Sequence, residues 1–114
     1  MNAVLPLSGN GKLITYSISD EEWIIVWGKL KFTLKKSCIQ IILDEFFMNK
    51  DEWYPLGASM DNPMPIGLGI FVRDNFNMLS PRHASAIAAI LVNENILTFK
   101  GMRPILLETI DENK

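Results

Sequence analysis

Cys38 and His83 are the one thiol and the one imidazole of the chain, so cysteine-type chemistry depends on whether the fold brings them together. A thiol becomes a nucleophile only when a base or a positive field lowers its pKa, and that base must lie within hydrogen-bond reach. Cys38 opens an apolar run and reads as a small core filler, whereas His83 falls in the first turn of a later helix. The expectation is therefore no catalytic residue and no enzyme. Metal chemistry has equally little to draw on. One His, one Cys and scattered acids supply neither C-x-x-C nor H-x-x-x-H spacing, so no metal or cofactor is expected. The acid groups Asp20/Glu21/Glu22, Asp44/Glu45 and Asp51/Glu52 are sequence neighbours, which point in different directions on a helix and make no carboxylate pair.

Two glycine-bearing segments invite a phosphate-loop reading and fail it. Residues 8–12 (Ser-Gly-Asn-Gly-Lys) lack the GxxxxGK[ST] spacing, and Leu13 stands where the metal-binding hydroxyl belongs, so they read as a turn. Gly67 and Gly69 are a fragment of a dinucleotide fingerprint without its third glycine. Trp53, Tyr54, Met60 and Met64 cluster about the proline-rich loop 55–65, and exposed Met and aromatic side chains make an adaptable partner surface. The leading expectation is a non-catalytic interaction or regulatory module, binding a protein partner or a second copy of itself through these four residues.

The alternative is nucleic-acid binding. A short helix, a turn at 77–79, a helix over 81–93 and a hairpin over 96–110 follow the order of a winged helix-turn-helix. Helix 81–93 would then be the recognition helix, with Arg82, His83 and Ser85 near base edges and Lys100 and Arg103 on phosphate from the wing. Against it, the polar face of that helix reduces to Arg82, Ser85, Ala89 and Asn93. The formal net charge of −2 also has the wrong sign.

Length and composition bound these readings. At 114 residues the chain fits a single domain, with 48% hydrophobic and 21% charged residues. One cysteine excludes an intrachain disulfide framework and fits a reducing compartment. No stretch reaches the roughly 18 apolar residues that span a bilayer, and the N-terminus lacks a basic region before its apolar residues, so a cytoplasmic location without membrane contact is expected. Residues 111–114 read as a frayed tail.

The elements that must position these residues follow from patterning. Segments 4–7 and 13–18 flank a Gly/Asn turn and predict an N-terminal hairpin. Ser19 and Glu22 have capping-box spacing, and Trp23, Val26, Trp27, Leu30 and Leu34 recur at helical intervals, which predicts a helix to about residue 36. Residues 29–35 also alternate as a strand does, and Phe32 falls off the helical stripe. Ser37 and Gln40 repeat the capping pattern ahead of Ile39, Ile42, Leu43, Phe46 and Phe47, a second helix ending near Met48. A short helix is expected over 66–76. Ser80 and Pro81 then start a helix to Asn93 in which only Ser85 is polar between 84 and 92, so it should be buried on several sides and sit centrally. A second hairpin over 96–110 turns at Gly101. The fold class expected is α+β, with three to four helices around helix 81–93 and a hairpin near each end.

Overall fold

Ile24, Ile25 and Val26 are β-branched and stiff at χ1, which favours an extended backbone over a helix. The computed structural model, which describes residues 2–60 and 64–110, accordingly places the segment in strands and corrects the expected helix to residue 36. Strand β3 (Glu22–Trp27) pairs antiparallel with β4 (Leu30–Lys35), Trp27 opposite Leu30 and Glu22 opposite Lys35. Gly28 takes φ +60 as the first residue of the two-residue turn, the type II′ arrangement whose twist suits a tight hairpin. This pairing sets Trp23 opposite Leu34 and Ile25 opposite Phe32. Trp23, Ile25 and Leu34 are buried and Phe32 packs against the same core, so the residue that broke the helical stripe is accommodated by a period of two. Ser19 caps no helix. Its N–H and hydroxyl both donate to the Glu22 carbonyl, at 2.9 and 3.0 Å, closing the turn into β3.

Strand β1 (Asn2–Val4) pairs with β2 (Ile14–Ile18), which pairs in turn with β3, giving one antiparallel sheet in the order β1-β2-β3-β4. The first strand ends earlier than expected. Pro6 has no N–H for a ladder, and its carbonyl accepts the Gly9 N–H at 2.8 Å, so the chain turns there. Helix α1 (Lys36–Ile41) leaves β4 directly and widens into a π-helical segment over Ile42–Phe46, where the Phe47 N–H reaches the Ile42 carbonyl at 3.2 Å. Ser37 lies inside α1; the extended cap residue is Lys35, with no side-chain cap bond. The Ile39, Ile42 and Phe47 positions of the expected stripe are buried.

The remaining chain forms β5 (Tyr54–Pro55), α2 (Leu68–Asn75), α3 (Pro81–Asn93), β6 (Leu97–Lys100) and β7 (Leu106–Thr109). The expected C-terminal hairpin is β6 with β7, and β5 adds to its other side, a second sheet in the order β5-β7-β6. The start of the 55–65 loop is therefore pinned: Pro55 and Leu56 are buried, and the Leu56 N–H bonds the Ile105 carbonyl at 2.9 Å. Residues 61–63 of that loop, and the expected tail at 111–114, lie outside the described residues.

Helix α3 buries Pro81, His83, Ala84, Ala86, Ile87, Ala88, Ala89, Ile90 and Leu91. Tyr16 ties its C-terminal end to the first sheet: its hydroxyl donates to Glu94 Oε2 and accepts from Asn93 Nδ2, each at 2.7 Å. Among the described residues the chain is one α+β domain of three helices and two antiparallel sheets. Its Cα radius of gyration of 13.0 Å is that of a compact domain of this length, about 13 Å.

Candidate functional site

Cys38 is half-buried on α1 and faces a depression shared with Leu34, Phe76 and Leu79. His83 has another occupation. Its Nδ1 accepts the Ser80 N–H at 2.9 Å, the Ser80 hydroxyl lies 2.9 Å from the same nitrogen, and the ring meets Phe32 edge-on at 4.7 Å between centroids. This is a capping box in which an imidazole replaces the usual Glu or Gln. No hydrogen bond joins Cys38 to His83 among the described residues.

Burial, reinforced by the neighbouring Arg82 charge, holds His83 below its ordinary value of 6.5. The neutral ring is thus favoured in the fold, and on acidification the unfolded chain takes up the proton first. The stabilisation is complete above 6.5 and is lost as the pH falls through the lower folded value. His83→Gln keeps an acceptor for the Ser80 N–H and removes the titration. Between about pH 7.5 and about pH 5, bracketing the imidazole range, the melting temperature of the native chain is expected to fall more than that of the variant. Equal slopes would refute the titrating cap.

The four residues expected to form one interaction surface have different immediate surroundings. Tyr54 packs its ring tilted at 5.2 Å from Phe46 and edge-on at 5.5 Å from Phe47, between centroids, and its hydroxyl accepts the Asn49 N–H at 3.1 Å. Trp53 receives the Lys100 ammonium 4.2 Å from its ring centroid. Met60 is 59% exposed, and the half-buried Met64 lines a shallow apolar depression with Leu56, Ala58, Met102 and Ile105. Met102, beside the β6–β7 turn, is the partner of Met64 that sequence reading missed. Of the nucleic-acid candidates, His83 is buried, Ser85 is half-buried, and Lys100 and Arg103 are exposed near the second hairpin's turn. Burial along α3 leaves it without the polar outer face that groove insertion uses.

Arg82 enters a different constellation, which sequence reading did not anticipate. Lys12 from the loop before β2, Trp27, Gly28 and Lys29 at the β3–β4 turn, and Arg82 from the first turn of α3 line one cleft with Gly11, about 360 Å³ in volume. The indole is fixed, its Nε1–H donating to the Lys12 carbonyl at 3.0 Å. The Arg82 guanidinium lies 5.0 Å from the Trp27 ring centroid, a cation–π contact. The Lys12 stem crosses Gly28 so closely that a Cβ there would meet Lys12 Cδ at 3.0 Å. Among the described residues no carboxylate lines the cleft. Among the described residues the ion pair is Arg73 with Asp74, and none of the Lys12, Lys29 or Arg82 heads takes part in a salt bridge or hydrogen bond. Three exposed cations thus converge on a concave surface in a chain of formal net charge −2. Such a cluster carries a positive potential that the chain as a whole lacks, and attracts an anion.

Among the described residues no group of three or more His, Cys, Asp or Glu is placed to hold a metal ion, and no helix is long and apolar enough to cross a membrane. No protein-family model, no curated protein and no solved structure matches this chain.

Proposed function

We propose that the chain is a non-catalytic interaction module that recognises an anionic group in the cleft of Lys12, Trp27, Lys29 and Arg82. The observation that carries this reading is that, among the described residues, three unpaired cations line one concavity and no carboxylate does. The framework is set before any ligand arrives. The indole is held by a backbone carbonyl and Arg82 is stacked on the indole, so less side-chain freedom remains to be lost on binding. Among the described residues the lining holds no thiol, hydroxyl, imidazole or carboxylate from which a nucleophile and its base are usually drawn, which favours binding over turnover.

The test is a titration of the ¹⁵N-labelled chain at low ionic strength with sulfate, phosphate, pyrophosphate and citrate. At least one is expected to shift the Trp27 indole N–H resonance saturably, and the affinity should fall as salt is added, because exposed charges are screened. Lys12→Ala and Arg82→Ala should each weaken binding with little change in melting temperature. Absence of a saturable shift with every anion would overturn the reading.

A further inference from the structure

We infer that the group taken up by this cleft is the dianionic phosphoryl group of a small phosphomonoester, an inference that rests on the reading of the cleft as the binding site. Charge is the first argument. A phosphomonoester carries about −1.5 to −2 near neutral pH, so it offsets most of the three positive heads. A carboxylate or a sulfate ester brings one negative charge and leaves two cations repelling each other.

Donor chemistry is the second. Arg82 presents a planar fork suited to two phosphoryl oxygens, while Lys12 and Lys29 are point charges that suit the third. Gly28 lines the same cleft, and its missing side chain lets the Lys12 stem cross the β3–β4 turn and bring its ammonium to the cleft. Size is the third. The volume of about 360 Å³ falls in the range of small-ligand sites, roughly 300–1,000 Å³. One phosphoryl group fills only part of it, so the carrier has room beside the fixed Trp27 indole. A nucleic-acid backbone fits less well. It presents a charge about every 1.7 Å along the duplex and is held by a row of cations, whereas here three cations converge on one concavity.

The experiment titrates the full chain at constant pH with phenyl phosphate, phenyl sulfate and a short DNA duplex, reading the Trp27 indole resonance. Phenyl phosphate is expected to bind about tenfold or more tighter than phenyl sulfate, with loss of a comparable factor in Lys12→Ala, Lys29→Ala and Arg82→Ala. Arg82→Lys should restore the charge but only part of the affinity, since the fork is gone. Unchanged melting curves establish that these exposed-residue variants fold. If phenyl phosphate and phenyl sulfate bind equally, the phosphomonoester inference fails while the anion reading stands. If the duplex displaces phenyl phosphate and binds more tightly through the same residues, the ligand is a nucleic acid and the inference fails. If none of the three shifts the indole resonance, nor do the simple anions, both fail.

Discussion

Leu91→Asp is expected to abolish the cooperative thermal transition of this domain. Leu91 is fully buried on α3, as are Ile87 and Ile90, and the buried imidazole of His83 on the same helix is already engaged with Ser80. Burial of a leucine side chain contributes about 1.5–3 kcal/mol, which the substitution forfeits. The larger cost is the carboxylate, which must enter the core without a partner, protonate, or drag the helix into water. Any of these costs several kcal/mol against a typical total of about 5–15 kcal/mol. Leu91→Met conserves volume and polarity and should cost less than about 1.5 kcal/mol, separating loss of shape from introduction of charge. A Leu91→Asp chain that still melts cooperatively near the native temperature would show that α3 is not what the core is built on.

That helix was legible because its signals are local and agree with one another. Ser80 and Pro81 mark the start, nearly every following position is apolar, and the observed span is Pro81–Asn93. The strand pair β3–β4 was misread for a geometric reason. A two-residue turn shifts the parity of a hairpin, so the pairing Trp23–Leu34, Ile25–Phe32 and Trp27–Leu30 groups residues 23, 25 and 27 with 30, 32 and 34. Within that set, 23, 27, 30 and 34 are spaced by four, three and four, which is also the signature of one helix face. Phe32 and the β-branched run were the discriminating signals. The addition of β5 escaped notice because a two-residue strand beside a proline carries no periodicity. His83 as a capping partner was hidden because the expected box carries Glu or Gln at that position.

The cleft was illegible for a different reason. Lys12 reads as part of a turn, residues 29–35 as helix or alternating strand, and Arg82 as a base-edge contact of the winged-helix alternative, each within its own segment. Only the pairing of Ile14 with Trp27 across β2 and β3, together with α3 beginning beside the same corner, brings the three residues into the lining of one cleft. Charge summed over the chain or over either half shows nothing, since splitting after Gly57 leaves each half with a single net negative charge. Convergence of residues from three distant segments belongs to topology, and it becomes visible only when the sheet register is known.

Gly69→Ala is a second substitution with a large expected effect, and local propensity and packing disagree on its sign. Gly69 lies in α2, where alanine is favoured over glycine by about 1 kcal/mol on propensity and also restricts the unfolded chain. The fold reverses this. The Gly69 N–H donates to the Leu56 carbonyl at 2.9 Å, drawing the loop backbone onto the helix. A Cβ at position 69 would run into the Gly57 carbonyl oxygen and would lie 3.0 Å from Pro81 Cβ and 3.1 Å from Ala58 Cα. Two of these three neighbours are backbone, and the third is a proline at the start of α3, so no flexible side chain can swing aside. Relief requires moving residues 56–58 off α2, which sacrifices the Leu56 bond, or moving α2 away from α3. Overpacking of this kind costs about 1–3 kcal/mol, and losing the hydrogen bond about 1 kcal/mol more, which outweighs the propensity gain. With roughly 4–8 °C per kcal/mol for small domains, a fall in melting temperature of about 4 °C or more is expected. Gly9→Ala is the control for backbone strain alone, since Gly9 has φ +79 and open space where its Cβ would lie, and it should cost about 1 kcal/mol. A rise in melting temperature for Gly69→Ala would mean that the loop does not rest on α2 and that helix propensity decides the outcome.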